Sequence, residues 1–105
     1  MHTKVAEETG IPVLFVGGRL DHASAAELQI VIGKHPSDAA GTVTVDLSEV
    51  DYLSSAALKV FEALAARRSE GGGRLLLRSP STAARLALEL SGLLALAEPP
   101  EGKGD

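Results

Sequence analysis

Three stretches of β-type sequence in this chain are each followed by a stretch of helical periodicity, and that alternation leaves few architectures open. Val13-Leu14-Phe15-Val16 is apolar without a break, the pattern of a central strand flanked by helices. Ser24-Ala25-Ala26-Glu27 follows with the Ser-x-x-Glu spacing of a capping box, and Leu28, Val31 and Ile32 continue as an apolar stripe until Gly33 and Pro36 end the helix. Val43-Thr44-Val45-Asp46-Leu47 alternates and is β-branched, so it reads as the next strand, feeding a loop from Ser48 to Leu53. From Ser54 onward Leu58, Phe61, Leu64 and Ala65 recur at spacings of three and four as far as Gly71-Gly72-Gly73. Arg74-Leu75-Leu76-Leu77-Arg78 reads as a short buried strand. Ser79-Pro80-Ser81 then opens a third helix with Leu86, Leu90 and Leu93 along one side and Ser91-Gly92 near its end. The leucine stripes of all three helices are expected to be core.

Ahead of the first unit, Thr3 to Glu8 is extended and Thr9-Gly10 favours a turn. The pattern therefore predicts an α/β fold: a single domain over residues 1–97, with a mixed, mostly parallel sheet of about four to five strands. About three to four helices pack mainly on one face. Residues 98–105 are polar and Pro/Gly-rich, the composition of a disordered tail.

Composition narrows the function classes. With 105 residues, 45% hydrophobic and 23% charged, one core suffices without staples. The lack of cysteine removes thiolate catalysis and thiolate metal sites. No apolar run approaches the roughly 20 residues of a bilayer span, and Met1 to Glu8 lacks a signal-type apolar stretch, so a cytosolic protein without membrane insertion is expected. The net charge is −4, with −5 carried by residues 1–53 and +1 by the rest, and only 3% of residues are aromatic. Both facts argue against nucleic acid as a partner. His2, His22 and His35 have no ligand spacing, so neither a metal nor another cofactor is expected. Asp21, His22 and Ser54 or Ser55 supply the types of a nucleophilic triad, but no Gly-x-Ser-x-Gly elbow accompanies them. Turn and cap roles are the better reading, and no enzymatic activity is expected. The glycines at 71–73 precede a strand and lack a following Lys-Ser/Thr, unlike a phosphate-binding loop.

The most informative stretch runs from Val43 to Leu58, a strand and a short loop leading to a helix that opens on two serines. Asp46-Leu47-Ser48, Tyr52, Ser55 and Leu58 resemble the signature of STAS domains, the family of bacterial anti-sigma factor antagonists. Gly18-Arg19-Leu20-Asp21 and Ser91-Gly92-Leu93 resemble two further family stretches, so the likeness runs from about Val13 to Leu96. The departures are Ser54 where the family has Asp, Ala56 where it has Ser or Thr, and Ala57 where it has Gly.

The resemblance implies a non-catalytic module that docks onto a protein. Ser55 falls on the serine that the family's switch kinases phosphorylate. The implied partner is a serine kinase of the GHKL type that is also the anti-sigma factor: the bare domain binds it and frees the sigma factor, and the phosphorylated domain does not. Asp21, Ser54, Ser55, Ala56 and Lys59 would form the docking surface. The residues alone allow a plainer reading, in which Ser54 is an N-cap worth about 1 kcal/mol and Ser55 an ordinary first-turn residue. A STAS subunit that contacts the ATPase of a phospholipid ABC transporter without phosphorylation is the alternative function. An edge strand near the N-terminus leaves a homodimer open.

Overall fold

The computed structural model describes residues 1–97; the predicted tail lies outside them. Strands β1 (His2–Glu8) and β2 (Ile11–Leu20) form a hairpin whose two-residue turn places Thr9 and Gly10 at φ 50° and 81°. Positive φ at both central turn residues matches the twist of the flanking strands. Helix α1 (Ala25–Lys34), strand β3 (Thr42–Leu53), helix α2 (Ser55–Glu70), strand β4 (Arg74–Arg78) and helix α3 (Thr82–Ser91) complete the order. The sheet runs β1-β2-β3-β4, with β1 antiparallel to β2 and the other two pairings parallel. The predicted fold class is therefore the observed one.

All three helices cover one face. Leu14, Val45 and Leu77 lie side by side across three strands. They share a core with Leu28 and Ile32 of α1, Ala57, Phe61 and Leu64 of α2, and Ala84 and Leu88 of α3. Among the described residues the opposite face has no helix, which corrects the reading of Val13 to Val16 as a run needing helices on both sides. There Lys4, Phe15, Asp46 and Arg78 form a row across all four strands. The Lys4 ammonium and the Arg78 guanidinium stand 5.1 and 5.6 Å from the Phe15 ring centre, so cations shield the half-buried ring. Arg78 also holds the buried Asp46 carboxylate at 2.9 Å and the Glu8 carboxylate at 2.7 Å, tying β4 to β3 and to the hairpin.

Three local expectations are corrected. The predicted loop Ser48–Leu53 is the second half of β3. Phe15 pairs with Asp46 but Gly17 with Glu49, and Gly18 pairs with Val50 but Arg19 with Tyr52. Each shift inserts one extra residue into β3, so Leu47, Val50 and Leu53 all reach the core at a spacing of three. The capping box lies one turn earlier than Ser24-x-x-Glu27. Asp21 caps a single 3-10 turn, His22–Ser24, by accepting from the Ser24 amide, while the Ser24 hydroxyl takes the Asp21 amide in return. In α3, Ala84 and Leu88 are the buried residues, whereas Leu86 and Leu90 are 55% and 79% exposed and Leu93 packs at the core margin. The expected stripe of Leu86 and Leu90 thus faces solvent.

Candidate functional site

The carboxyl ends of the parallel strands β2 and β3 reach the same edge of the sheet. Leu20 and Leu53 are register partners, and the Ser54 amide donates to the Leu20 carbonyl at 2.9 Å. Asp21 and Ser54, far apart in sequence, thus leave adjacent strand ends together, and the 3-10 turn after Asp21 packs on α2. At this edge an open α/β sheet usually presents its binding groups.

The two serines have different jobs. Ser54 has extended backbone, is 8% exposed, and its hydroxyl accepts from the Ala57 amide at 3.1 Å, which makes it the N-cap of α2. Ser55 is the first helical residue and is exposed. Ala56 is half-buried beside it, and Lys59 stands exposed one turn on, at the i+4 position that faces Ser55 along the helix. The amides of Ser55 and Ala56 have no intrahelical acceptor, and the positive end of the helix dipole adds to their pull on an anion.

Asp21 is half-buried and its carboxylate is engaged. Oδ1 accepts from the Ser24 hydroxyl at 2.7 Å and from its amide at 3.0 Å, and the Arg19 side chain stands 4.0 Å from Oδ2. The Ser24 hydroxyl first, then its amide, hold the Asp21 carboxyl below the ordinary carboxylate range. The negative charge is therefore fixed at the surface, in a set orientation. His22 is exposed on the turn, and Asp21 spends its carboxylate on Ser24, the capping role preferred over a triad.

Sequence reasoning missed two groups here. A shallow depression of about 220 Å³ joins Ser55, Leu58, Lys59 and Glu62 of α2 to Ser91 and Leu93 at the end of α3. Ser91 and Leu93 belong to a stretch noticed as a motif, but only the tertiary fold brings them beside Ser55. The second group is Tyr52, 42% exposed, with the Arg19 guanidinium 4.3 Å from its ring centre. Tyrosine and arginine are residue types enriched at protein interfaces, and here the pair is stacked at a strand end. Their partnership depends on the second bulge, which puts Arg19 opposite Tyr52. Among the described residues no helix is long and apolar enough to cross a membrane.

A two-layer α/β domain with a one-sided helical layer here sets an exposed serine at a helix start and a fixed carboxylate at one edge of its sheet. The chain belongs to the STAS domain family: the family model described as "Mlab, STAS domain" matches residues 3–98. Two curated relatives, the anti-sigma-F factor antagonist RsfB of Mycobacterium tuberculosis strains CDC 1551 and H37Rv, are 39% identical over 59 residues. That alignment covers 56% of this chain, which spans about half the length of those relatives, 48%. Among solved structures, the anti-sigma factor antagonist SpoIIAA in its unphosphorylated form superposes with a TM-score of 0.70 at 18% identity, over 97% of this chain and 90% of that one. The phosphorylated form of the Bacillus cell fate determinant SpoIIAA gives 0.66 at 17% identity, covering 97% and 94%. An anti-sigma factor antagonist from Mycobacterium paratuberculosis gives 0.70 at 24% identity, covering 95% and 86%. At these identities the structural likenesses speak for the fold.

Proposed function

We propose that this chain is a non-enzymatic, cytoplasmic anti-sigma factor antagonist. It docks on an anti-sigma factor of the GHKL serine-kinase type and is released when Ser55 is phosphorylated. The observation that carries this reading is the division of labour between the paired serines: Ser54 is consumed as the helix cap, and Ser55 is exposed on the surface. Asp21, Ala56 and Lys59 complete the docking face, with Tyr52, Ser91 and Leu93 at its margins. A phosphate on Ser55 would add about −1.5 to −2 charges. It would sit on the helix N-terminus with Lys59 in reach, so the domain would tolerate it, while a partner surface shaped for the neutral hydroxyl would be repelled.

The name of the curated relatives favours this reading over the transporter-associated one. A homodimer is a further part of the proposal. The outer edge of β1 pairs with no other strand among the described residues, so two copies can join their sheets there.

The test is to mix the chain with a GHKL-type anti-sigma kinase and ATP, following complex formation by native mass spectrometry and modification by intact mass. The parent should form a complex in the absence of ATP and then gain one phosphate at Ser55 and dissociate. Ser55→Ala should bind and remain bound. Failure of the parent to form a complex with any such kinase rejects the proposal.

A further inference from the structure

A second site lies at the other end of α2. Between the last turns of α1 and α2 and the start of β4, a cavity of about 350 Å³ opens to solvent, and the 16-residue helix puts it roughly 20 Å from Ser55. That volume is within the range of about 300 to 1,000 Å³ typical of small-molecule sites. Its lining includes the apolar side chains of Ile32, Leu64 and Leu75 together with Arg67 and Arg68.

The two arginines are uncommitted. Neither forms an ion pair among the described residues, although Arg68 is half-buried. Lys34 and Arg74 follow directly on the lining residues Gly33 and Gly73, so four cations gather at this end of a chain whose net charge is −4. Glu70 is the acidic residue nearest to them in sequence. Cations in a last helical turn suit the dipole, which accounts for the charge but not for an apolar hollow beside it.

Five glycines line the hollow. A Cβ on Gly73 would run into the Gly41 carbonyl, so that position has a packing reason. Gly33 has none: it lies inside α1 without a positive φ, and a Cβ there would meet nothing within 4 Å. A glycine inside a helix is destabilising relative to alanine. Gly33 is one of the residues that line the cavity. The amides of Gly71, Gly72 and Gly73 are all spent on the carbonyls of Arg68 and Ser69, so the loop is no anion nest and the guanidinium groups must supply the recognition.

We propose that this cavity binds a small organic anion, its apolar body resting on Ile32, Leu64 and Leu75 and its carboxylate, sulfonate or phosphate group held by Arg67 and Arg68. The guanidinium groups of two residues that line the cavity offer forked donors matched to such oxygens. The site is separate from the docking face, and its occupation need not disturb Ser55.

The probe is 8-anilinonaphthalene-1-sulfonate, followed by fluorescence titration, with amide chemical shifts on the full chain to locate it. Shifts should centre on Gly33, Gly41 and Gly71 to Gly73. Arg67→Gln with Arg68→Gln should weaken binding by about tenfold or more, and the uncharged N-phenyl-1-naphthylamine should bind the parent correspondingly less well. Gly33→Leu should fill the cavity and abolish binding; if that variant does not fold, the arginine pair decides. Shifts centred on the exposed Leu86 and Leu90 of α3, or an affinity unchanged by loss of both arginines, would overturn the proposal.

Discussion

Replacing Ser54 by alanine and Ser55 by alanine should give opposite results, although the residues are adjacent and chemically identical. The Ser54 hydroxyl accepts from the Ala57 amide at 3.1 Å, and both residues are buried, at 8% and 0% exposed. Losing an N-cap costs about 1 kcal/mol. Here the orphaned amide also sits where water does not easily replace the serine, which moves the cost toward about 2 kcal/mol. For a domain near this size, 1 to 2 kcal/mol corresponds to a fall of roughly 5 to 15 °C in Tm. Ser55→Ala removes an exposed hydroxyl from the first helical turn and installs the best helix former, so its effect should stay within about 0.5 kcal/mol. Thermal melts followed by far-UV circular dichroism, checked against urea midpoints, separate the two. Ser54→Asp should keep most of the parent Tm, because aspartate caps as well as serine and its charge suits the helix N-terminus. If Ser55→Ala proved the costly change and Ser54→Ala the neutral one, the cap would be misassigned, and Ser55 would not be the exposed hydroxyl on which the proposed switch depends.

Three further outcomes follow from the packing. The hydrogen bond from Arg78 holds the Glu8 carboxyl below its ordinary value of 4.5, so its contribution to stability is complete above that pH and is lost as the pH falls through the lowered value; Glu8→Gln should lower Tm at pH 7 and draw closer to the parent as the solution is acidified below 4.5, and parallel curves in melts across that range would refute this. Arg78→Met strands the Asp46 carboxylate, 4% exposed, and should cost about 3 kcal/mol in urea unfolding, far more than a surface change. Leu88→Ala should cost about 2 to 5 kcal/mol and Leu90→Ala next to nothing, which differential scanning calorimetry would reverse if α3 were rotated as its leucine pattern suggests.

What was legible in the sequence was whatever local chemistry decides. The Thr9-Gly10 hairpin, the stop at Gly71, the left-handed Gly92 at φ 80° that ends α3, and the order of strands and helices each follow from a few neighbouring residues. The errors fall where a distant partner decides. Ser48 to Leu53 resembled a loop because two bulges turn a period of two into a spacing of three, and a bulge is visible only against the paired strand. Leu86 and Leu90 satisfy the periodicity test, yet α3 seats itself with Ala84 and Leu88, where a small side chain permits close approach. The capping boxes Asp21/Ser24 and Ser24/Glu27 overlap, and the chain uses the earlier because it enters the turn directly from β2. At the site, the paired serines were readable from a strand meeting a helix, whereas Ser91 with Leu93 and Arg19 with Tyr52 were not.

The bulges that obscured β3 also explain why the site exists. Two extra residues let β3 keep pace with β2 while twisting, so that Leu53 ends opposite Leu20 and the Ser54 amide closes on the Leu20 carbonyl. Gly18, at φ 82° between the two register shifts, supplies backbone that another residue would adopt only with strain. With both strands ending at one level, the chain leaves β2 through a carboxylate fixed by Ser24 and leaves β3 through a serine fixed by its own helix. Each cap consumes the group next to the surface and leaves the following position free, and on α2 that position is Ser55. The docking surface proposed for this edge is held by its own hydrogen bonds before any partner arrives, so little ordering entropy would oppose binding. Its response to modification then depends on the charge added at Ser55 rather than on a rearrangement of the fold.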